Sequence, residues 1–176
     1  TASQAGQLAF VAAVALSDAL ALTMDTDNHT KKLKWPNDVL VNGRKISGIL
    51  LETELNSKGI VDYVVLGTGV NIFAPPENAI GLDEIKSDRV FVNGFRDLYL
   101  EKLYKHYRNW LETGFNHIRE RFLDEAHGLG TEINIRLPEV SYKGVFAGLD
   151  DDGSLLAEIN GEIRSFTAGE VHFGVK

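Results

Sequence analysis

The run Lys34-Trp35-Pro36-Asn37-Asp38-Val39-Leu40-Val41 turns at Asn42-Gly43 and returns as Arg44-Lys45-Ile46-Ser47-Gly48-Ile49-Leu50-Leu51-Glu52. Asn-Gly is the pair that a tight type I′ hairpin demands, so two antiparallel strands are expected here. A second turn around Asn56-Ser57-Lys58-Gly59 leads into Ile60 to Leu66, which ends in Gly67-Thr68-Gly69-Val70-Asn71-Ile72. Residues 31 to 35 read as a short strand that stops at Pro36, because proline cannot donate to a central ladder. Ile49, Leu50 and Leu51 are continuous and read as buried on both faces, whereas Leu51, Thr53 and Leu55 alternate with Glu52 and Glu54. Ile60 to Leu66, apolar apart from Asp62, reads as a central strand. Lys, Asp, Asn and several glycines collect at the junctions of these runs. Polar groups and bare backbone at strand ends suit a small anionic ligand.

The chain has 176 residues, enough for one medium domain or a domain plus a small module. It is 44% hydrophobic and 24% charged, as ordinary soluble globular proteins are. The net charge of −7 argues against a nucleic-acid-binding surface. No cysteine is present, which excludes disulfides, thiolate metal sites and cysteine nucleophiles, and fits a reducing compartment. The chain starts at Thr1 with no basic region ahead of its apolar run, which argues against a secretory signal. It reads as a fragment that begins inside a larger domain.

Residues 3 to 22 predict a helix capped by Ser3, with Leu8, Val11, Ala15 and Leu22 close to one face. Asp18 inside this Ala-rich run favours a buried helix over a membrane span, because a bare carboxylate in lipid costs several kcal/mol. The loop at 25–29 ends it. Residues 73 to 93 read as a loop with Pro75-Pro76. Residues 94 to 113 predict a helix with Phe95, Tyr99, Leu103, Tyr107 and Trp110 along a core-facing stripe. A second helix covers 115 to 127, with Phe115, Ile118, Phe122 and Ala126 inward. The texture changes at Gly128-Leu129-Gly130, the expected boundary between a domain at 1–128 and a module at 129–176. Short alternating runs follow (Ile133, Ile135, Leu137; Tyr142, Gly144, Phe146; Leu155, Ala157, Ile159; Val171, Phe173, Val175). Turns at 150–153 and Asn160-Gly161 separate them. Four or five strands in so short a span predict a small all-β barrel. From residue 130 on, four basic residues stand against eight acidic ones, the reverse of a nucleic-acid-binding barrel.

Lys45 follows a hairpin turn where a strand begins to be buried. It reads either as a solvated lysine or as a cation for a phosphate or carboxylate. Lys34 and Gly48, converging on the same strand pair, favour the anion site. Asp38 is either a plain turn residue after proline or a carboxylate able to orient or deprotonate an attacking amine. The Gly67-to-Asn71 run has the spacing of neither the dinucleotide nor the Walker motif, so as a bare pattern it is weak. Asn71 is a candidate reader of an adenine edge or a phosphate oxygen. The five histidines (29, 106, 117, 127, 172) show no metal-ligand spacing, so no residue is assigned to a metal, and His172 reads as a surface or barrel residue.

Lys34-Trp35-Pro36-Asn37-Asp38, Arg44 to Glu52 and Gly67-Thr68-Gly69-Val70-Asn71 resemble, in order and spacing, three successive motifs of biotin protein ligases. Thr167-Ala168-Gly169-Glu170-Val171 resembles the end of that family's C-terminal barrel. The resemblance covers essentially the whole chain. It implies an α+β fold, a mixed, mostly antiparallel sheet with packed helices, followed by a small all-β barrel. It further implies a cytoplasmic ligase that activates biotin with ATP and Mg2+ as biotinyl-5′-adenylate. Biotin would then pass to a lysine on the biotin carboxyl carrier domain of acetyl-CoA carboxylase. By resemblance Lys45 neutralises the biotin carboxylate and the adenylate phosphate, and Asp38 accepts a hydrogen bond or proton from the carrier lysine. Asn71 contacts the nucleotide, and Gly48, Ile49 and Leu50 lie against biotin. Lys34, Trp35, Asn37, Gly67, Gly69 and Glu170 complete the expected binding set, with Glu170 reaching from the barrel. No membrane or nucleic-acid partner is expected of this chain, and a homodimer stays open.

The sequence departs from the family at one place. The glycine- and arginine-rich adenylate-binding loop, which precedes the first helix in that family, is nowhere in the chain. The expectation is that this chain alone is inactive or severely impaired and needs that segment. Two other readings stand beside ligation: a lipoate or octanoate transferase of the same superfold, against which the Trp-Pro-Asn-Asp run argues, and a non-catalytic biotin-binding relative.

Overall fold

The computed structural model describes residues 2–58, 60–86 and 89–173, without the side chains of Ala2 and Ser3. The expected Ser3 cap, Gly59 in the second turn and Val175 of the last strand lie outside the described residues. The first helix, α1, spans Ala2–Ala21. A hairpin-built sheet follows: β1 (Lys31–Lys34), β2 (Asp38–Val41), β3 (Arg44–Leu55) and β4 (Val61–Val70). Its order is β1-β2-β3-β4, antiparallel throughout. Then come α2 (Leu82–Ile85), α3 (Val92–Thr113) and α4 (Asn116–Asp124). The second sheet holds β5 (Glu132–Arg136), β6 (Ser141–Leu149), β7 (Leu155–Ile159), β8 (Glu162–Phe166) and β9 (Glu170–Phe173). Its antiparallel order is β8-β7-β6-β5-β9, with β8 and β9 at the ends, where the sequence predicted a small barrel.

The Asn42-Gly43 turn forms as its residues demand, both with positive φ (50° and 76°), and Asn160-Gly161 repeats it (54° and 83°). Helix α1 packs against all four strands of the first sheet and against α3 and α4. Val11 to Leu16, Ala19 and Leu20 are fully buried. An 18-residue window, Gln4–Ala21, is long and apolar enough to cross a membrane, but 72% of it is buried inside this fold. Leu22, expected on the buried face, lies past the end of α1 and is exposed. A single cluster of buried side chains runs from α1 through the first sheet into Ile133, Phe146 and Leu155 of the second. Behind the first sheet, Asp18 accepts from the buried His106 (2.7 Å) and from Arg121 (2.8 Å), while Glu125 pairs with Lys31 (2.8 Å) and Arg121 (3.3 Å).

Several expectations are corrected by the topology. Ile49 is buried, but Leu50 is 61% exposed and Leu51 only partly covered. The helices cover one face of β3, and alternate side chains of a strand point to opposite faces. Ile60 lies just outside β4, and among the described residues β4 stands at the end of the sheet, where a central strand was expected, with Tyr63 and Val65 exposed. The segment expected to be a plain loop at 73–93 contains α2 and a bridge from Ala79 to Lys45. On α3, Phe95 and Tyr99 are buried, Tyr107 is exposed, and His106 is buried where no polar residue was expected. Phe115, Ile118, Phe122 and Ala126 face inward as expected.

Candidate active site

Four of the expected site residues form one row across the open face of the first sheet. Lys34 is registered opposite Asp38, Asp38 opposite Gly48, and Gly48 opposite Gly69. Leu50 and Gly67 make the next pair on that face. Regular alternation would put Lys45 and Gly48, three residues apart, on opposite faces. A register shift between Val39 and Leu40 breaks the alternation, and Ile46 and Ser47 are both buried in succession. This β-bulge turns the Lys45 side chain onto the face of Gly48.

The result is an ion pair lying over bare backbone. Lys45 Nζ sits 2.5 Å from Asp38 Oδ1, with the lysine half exposed. A Cβ on Gly48 would stand 2.9 Å from Lys45 Nζ and 3.1 Å from its Cε, so the glycine is what lets the lysine cross. At Gly67 and Gly69 an added Cβ would meet only Leu50 and the Gly48 carbonyl at 3.8 Å or more, an ordinary contact. Packing within the chain does not require glycine there. The absence of side chains leaves a flat floor where another group can lie against the backbone.

The backbone of Lys45 is held on both edges. Leu40 pairs with it on one side. On the other, β4 has ended, and the segment after it takes its place. The Lys45 carbonyl accepts from Ile80 N–H (3.0 Å) and from Asn71 Nδ2 (3.1 Å). Asn71, expected to contact the nucleotide, thus spends its amide N–H on the lysine backbone, while its own N–H bonds the Ile46 carbonyl at 2.8 Å.

Two cavities flank the Trp35-Pro36-Asn37 bend. A cleft of about 310 Å³ is lined by Lys34, Asp38 and Lys45 on one side and by Gly169, Glu170 and His172 on the other. Glu170 and His172 project from β9 and lie 3.4 Å apart. Lys34 Nζ lies 6.0 Å from the ring centre of Phe173. A larger cavity of about 490 Å³ lies between α1 (Gly6, Ala9, Phe10), Ile49 to Leu51 and the 152–154 turn. Trp35 is buried, and its indole N–H donates to the Gly153 carbonyl at 3.0 Å, joining the two sheets. Asn37 donates to the Ile49 carbonyl at 2.6 Å, and Ile49 N–H donates back to the Asn37 carbonyl at 2.9 Å.

Of the twelve sequence-selected residues, ten lie on this face, in the bend or across the cleft; Asn71 holds the Lys45 backbone from beyond β4, and Ile49 points into the core beside the larger cavity. Four others went unrecognised. Phe10 and Ser154 enter the large cavity only through tertiary packing. His172 enters the cleft because it alternates with the buried Val171 beside Glu170. Arg44 anchors the segment beside Lys45 through Glu84 (3.2 Å) and the Ala79 carbonyl. Of these, only His172 carried a sequence signal, its strand alternation with Glu170.

The profile of the Biotin/lipoate A/B protein ligase family matches residues 3–71, and that of the Biotin protein ligase C terminal domain matches residues 128–174. The chain is 37% identical over 180 residues to the biotin--[acetyl-CoA-carboxylase] ligase of Paracoccus denitrificans, covering 97% of this chain and 74% of that protein. It is 30% identical to the bifunctional ligase/repressor BirA of Bacillus subtilis, over 96% of this chain and 53% of that protein. The biotin protein ligase of Aquifex aeolicus, solved in complex with biotin and ATP, is similar with a TM-score of 0.78 at 26% identity, covering 97% of this chain and 72% of that one. With such a relative matched along most of both chains, this chain belongs to the biotin protein ligase family.

Proposed function

We propose that this chain carries out ATP-dependent ligation of biotin, through biotinyl-5′-adenylate, to a lysine of the biotin carboxyl carrier domain of acetyl-CoA carboxylase. The observation that carries the reading is the Lys45–Asp38 pair laid across Gly48, with the lysine backbone fixed on both edges. In the first step a biotin carboxylate oxygen attacks the α-phosphorus of ATP and pyrophosphate leaves. Both reactants are anionic, and a fixed ammonium stabilises the charge that they bring together. Lys45 leaves Asp38 for the incoming anion. That exchange frees the Asp38 carboxylate for the second step. There the carrier lysine attacks the acyl carbon, AMP leaves, and Asp38 takes up the amine proton.

The surroundings divide the ligands between them. The apolar cavity beside Leu50 suits the biotin ring, with its carboxylate directed at Lys45. The bare floor at Gly67 and Gly69 suits the nucleotide, with Mg2+ entering on its phosphates. Lys34 adds positive charge at the cleft, and Glu170 and the 129–176 module close its other side. Residues 1–128 form the catalytic domain in this reading, and the cytoplasm is its compartment. Asn71 acts by holding Lys45, and Trp35 and Asn37 by holding the bend between the cavities.

Biotin-dependent ATP–pyrophosphate exchange tests the proposal. Exchange that requires biotin and is lost in Lys45→Ala supports it. Exchange undiminished by Lys45→Ala removes Lys45 from the chemistry, and exchange driven by lipoate or octanoate in place of biotin changes the substrate.

A further inference from the structure

Lys45 is followed along its free edge by a strap of chain, residues 71–84, that contributes no group to the chemistry described above. Its contacts concentrate on one residue. Ile80 N–H and the Asn71 side chain both donate to the Lys45 carbonyl (3.0 and 3.1 Å). Ala79 forms a parallel bridge with Lys45. The strap is folded back on itself, with Leu82 N–H on the Asn71 carbonyl (2.9 Å) and Asp83 N–H on the Ile72 carbonyl (3.1 Å). At its tightest point a Cβ on Gly81 would press against the Ile72 carbonyl at 3.2 Å and Pro75 Cδ at 3.3 Å.

One ion pair ties the strap to the strand. Both guanidinium nitrogens of Arg44 reach Glu84 Oε2 at 3.2 Å, and Arg44 also donates to the Ala79 carbonyl. The other oxygen of Glu84 accepts from Gly81 N–H at 2.8 Å. The Gly81 N–H first, and then Arg44, hold the Glu84 carboxyl below its ordinary value. We propose that Arg44 and Glu84 form a clamp that seats the strap against β3 and thereby positions Lys45 for adenylation. Arg44 is a positioning residue: it acts through Ala79, Ile80 and the Lys45 carbonyl. The geometry suits arginine, because a planar fork can hold a carboxylate and a carbonyl together. Both side chains are more than a third exposed. An exposed pair contributes little to global stability, so its effect falls on the strap alone.

The inference rests on Lys45 acting in adenylation, and two measurements keep it separate from that reading. Arg44→Gln and Glu84→Gln, singly and together, are compared in biotin-dependent ATP–pyrophosphate exchange. Each single change lowers kcat about 10-fold with the KM for biotin unchanged, because a small misplacement of a reacting group costs rate before it costs binding. The double change loses no more than either single one, since both break one clamp. Full kcat in either single variant, a loss confined to KM, or losses that multiply would overturn the clamp. Amide hydrogen exchange at Ile80 provides the second test and needs no activity. Its protection falls in both single variants, and unchanged protection overturns the proposal. If the unaltered chain shows no exchange, as expected of it without the family's adenylate-binding loop, the Ile80 measurement alone judges the clamp.

Discussion

The two faces of the first sheet are built from the same strands and do opposite work. Toward α1 stand Leu33, Val39, Val41, Ile46 and Ile49, all essentially inaccessible to water. Toward the cleft and the floor stand Lys34, Asp38, Lys45, Gly48, Leu50 and Gly69, which are exposed or half-buried and fill no core. Stability on the covered face scales with apolar area removed from water. The open face contributes almost nothing to it, so charge and bare backbone are tolerated there at little cost in folding. The two roles come within one residue of each other at the bulge, where Lys45 faces the cleft and Ile46 the core.

The comparison predicts that neighbouring substitutions fail in different assays. Lys45→Ala has the largest effect. Exchange falls about 10²- to 10³-fold, the loss expected on removing one fixed charge from a polar transition state, while the thermal midpoint stays near that of the unaltered protein. Equal losses of activity and stability would mean that Lys45 is a structural residue. Ile46→Ala reverses the pattern. It opens a cavity in a fully buried site and lowers unfolding free energy by about 3 kcal/mol. Denaturant titration reads that loss, and exchange by the fraction still folded is nearly normal. Leu50→Ala, four residues on but exposed, changes stability by less than about 0.5 kcal/mol.

Sequence alone carried the open face further than the covered one. Asn42-Gly43 fixed the hairpin, but Lys34 and Lys45, read as converging on one strand pair, stand on β1 and β3 with β2 between them. The row of Lys34, Asp38, Gly48 and Gly69 then follows from register. The bulge was illegible, because an extra residue in a ladder leaves no mark on hydrophobic alternation around Ile46 and Ser47. Leu50 looked buried because three consecutive apolar residues read the same whether one face of a strand is covered or both. The strand at Val61–Val70 looked central for the same reason, and pairing order, which exposes Tyr63 and Val65, is set by contacts distant in sequence. The cluster of Asp18, Lys31, His106, Arg121 and Glu125 gathers residues from α1, β1, α3, α4 and the turn after α4. No local pattern joins positions so far apart. Of the part of the site beyond the first sheet, Glu170 was read from the sequence, His172 was open to reading from its alternation with Glu170, and Ser154 reaches its cavity by packing alone.

Gly48→Ala probes the boundary between the faces more gently. The new methyl would stand 2.9 Å from Lys45 Nζ, the mobile end of a long side chain, so the lysine moves and the strand survives. Exchange falls about 10-fold from the displaced charge, with no measurable change in thermal midpoint. Gly69→Ala meets only the Gly48 carbonyl at 3.8 Å. Any loss of rate there therefore reports a ligand on the floor rather than a disturbed fold, and a full rate would take the nucleotide off that floor.

A loss smaller than that of Ile46→Ala tests the covered side through its charges. The hydrogen bond from His106 holds the Asp18 carboxyl below the ordinary aspartate value; partial burial opposes this, and the charges of His106 and Arg121 reinforce it. A carboxylate with a depressed folded value stabilises the fold above its unfolded value. That contribution is lost as pH falls through the folded value. Asp18→Asn therefore costs about 1 kcal/mol at neutral pH, the scale of a partly exposed hydrogen-bonded charge. The difference from the unaltered protein narrows below the ordinary aspartate range and closes once Asp18 is protonated in both states. Urea titrations across that range read it directly. Stability curves that stay parallel down to full protonation would show that the Asp18 charge contributes nothing and that His106 is held by packing alone. Exchange measured at neutral pH should not change in this variant, because the cluster stands behind the sheet, on the side away from Lys45.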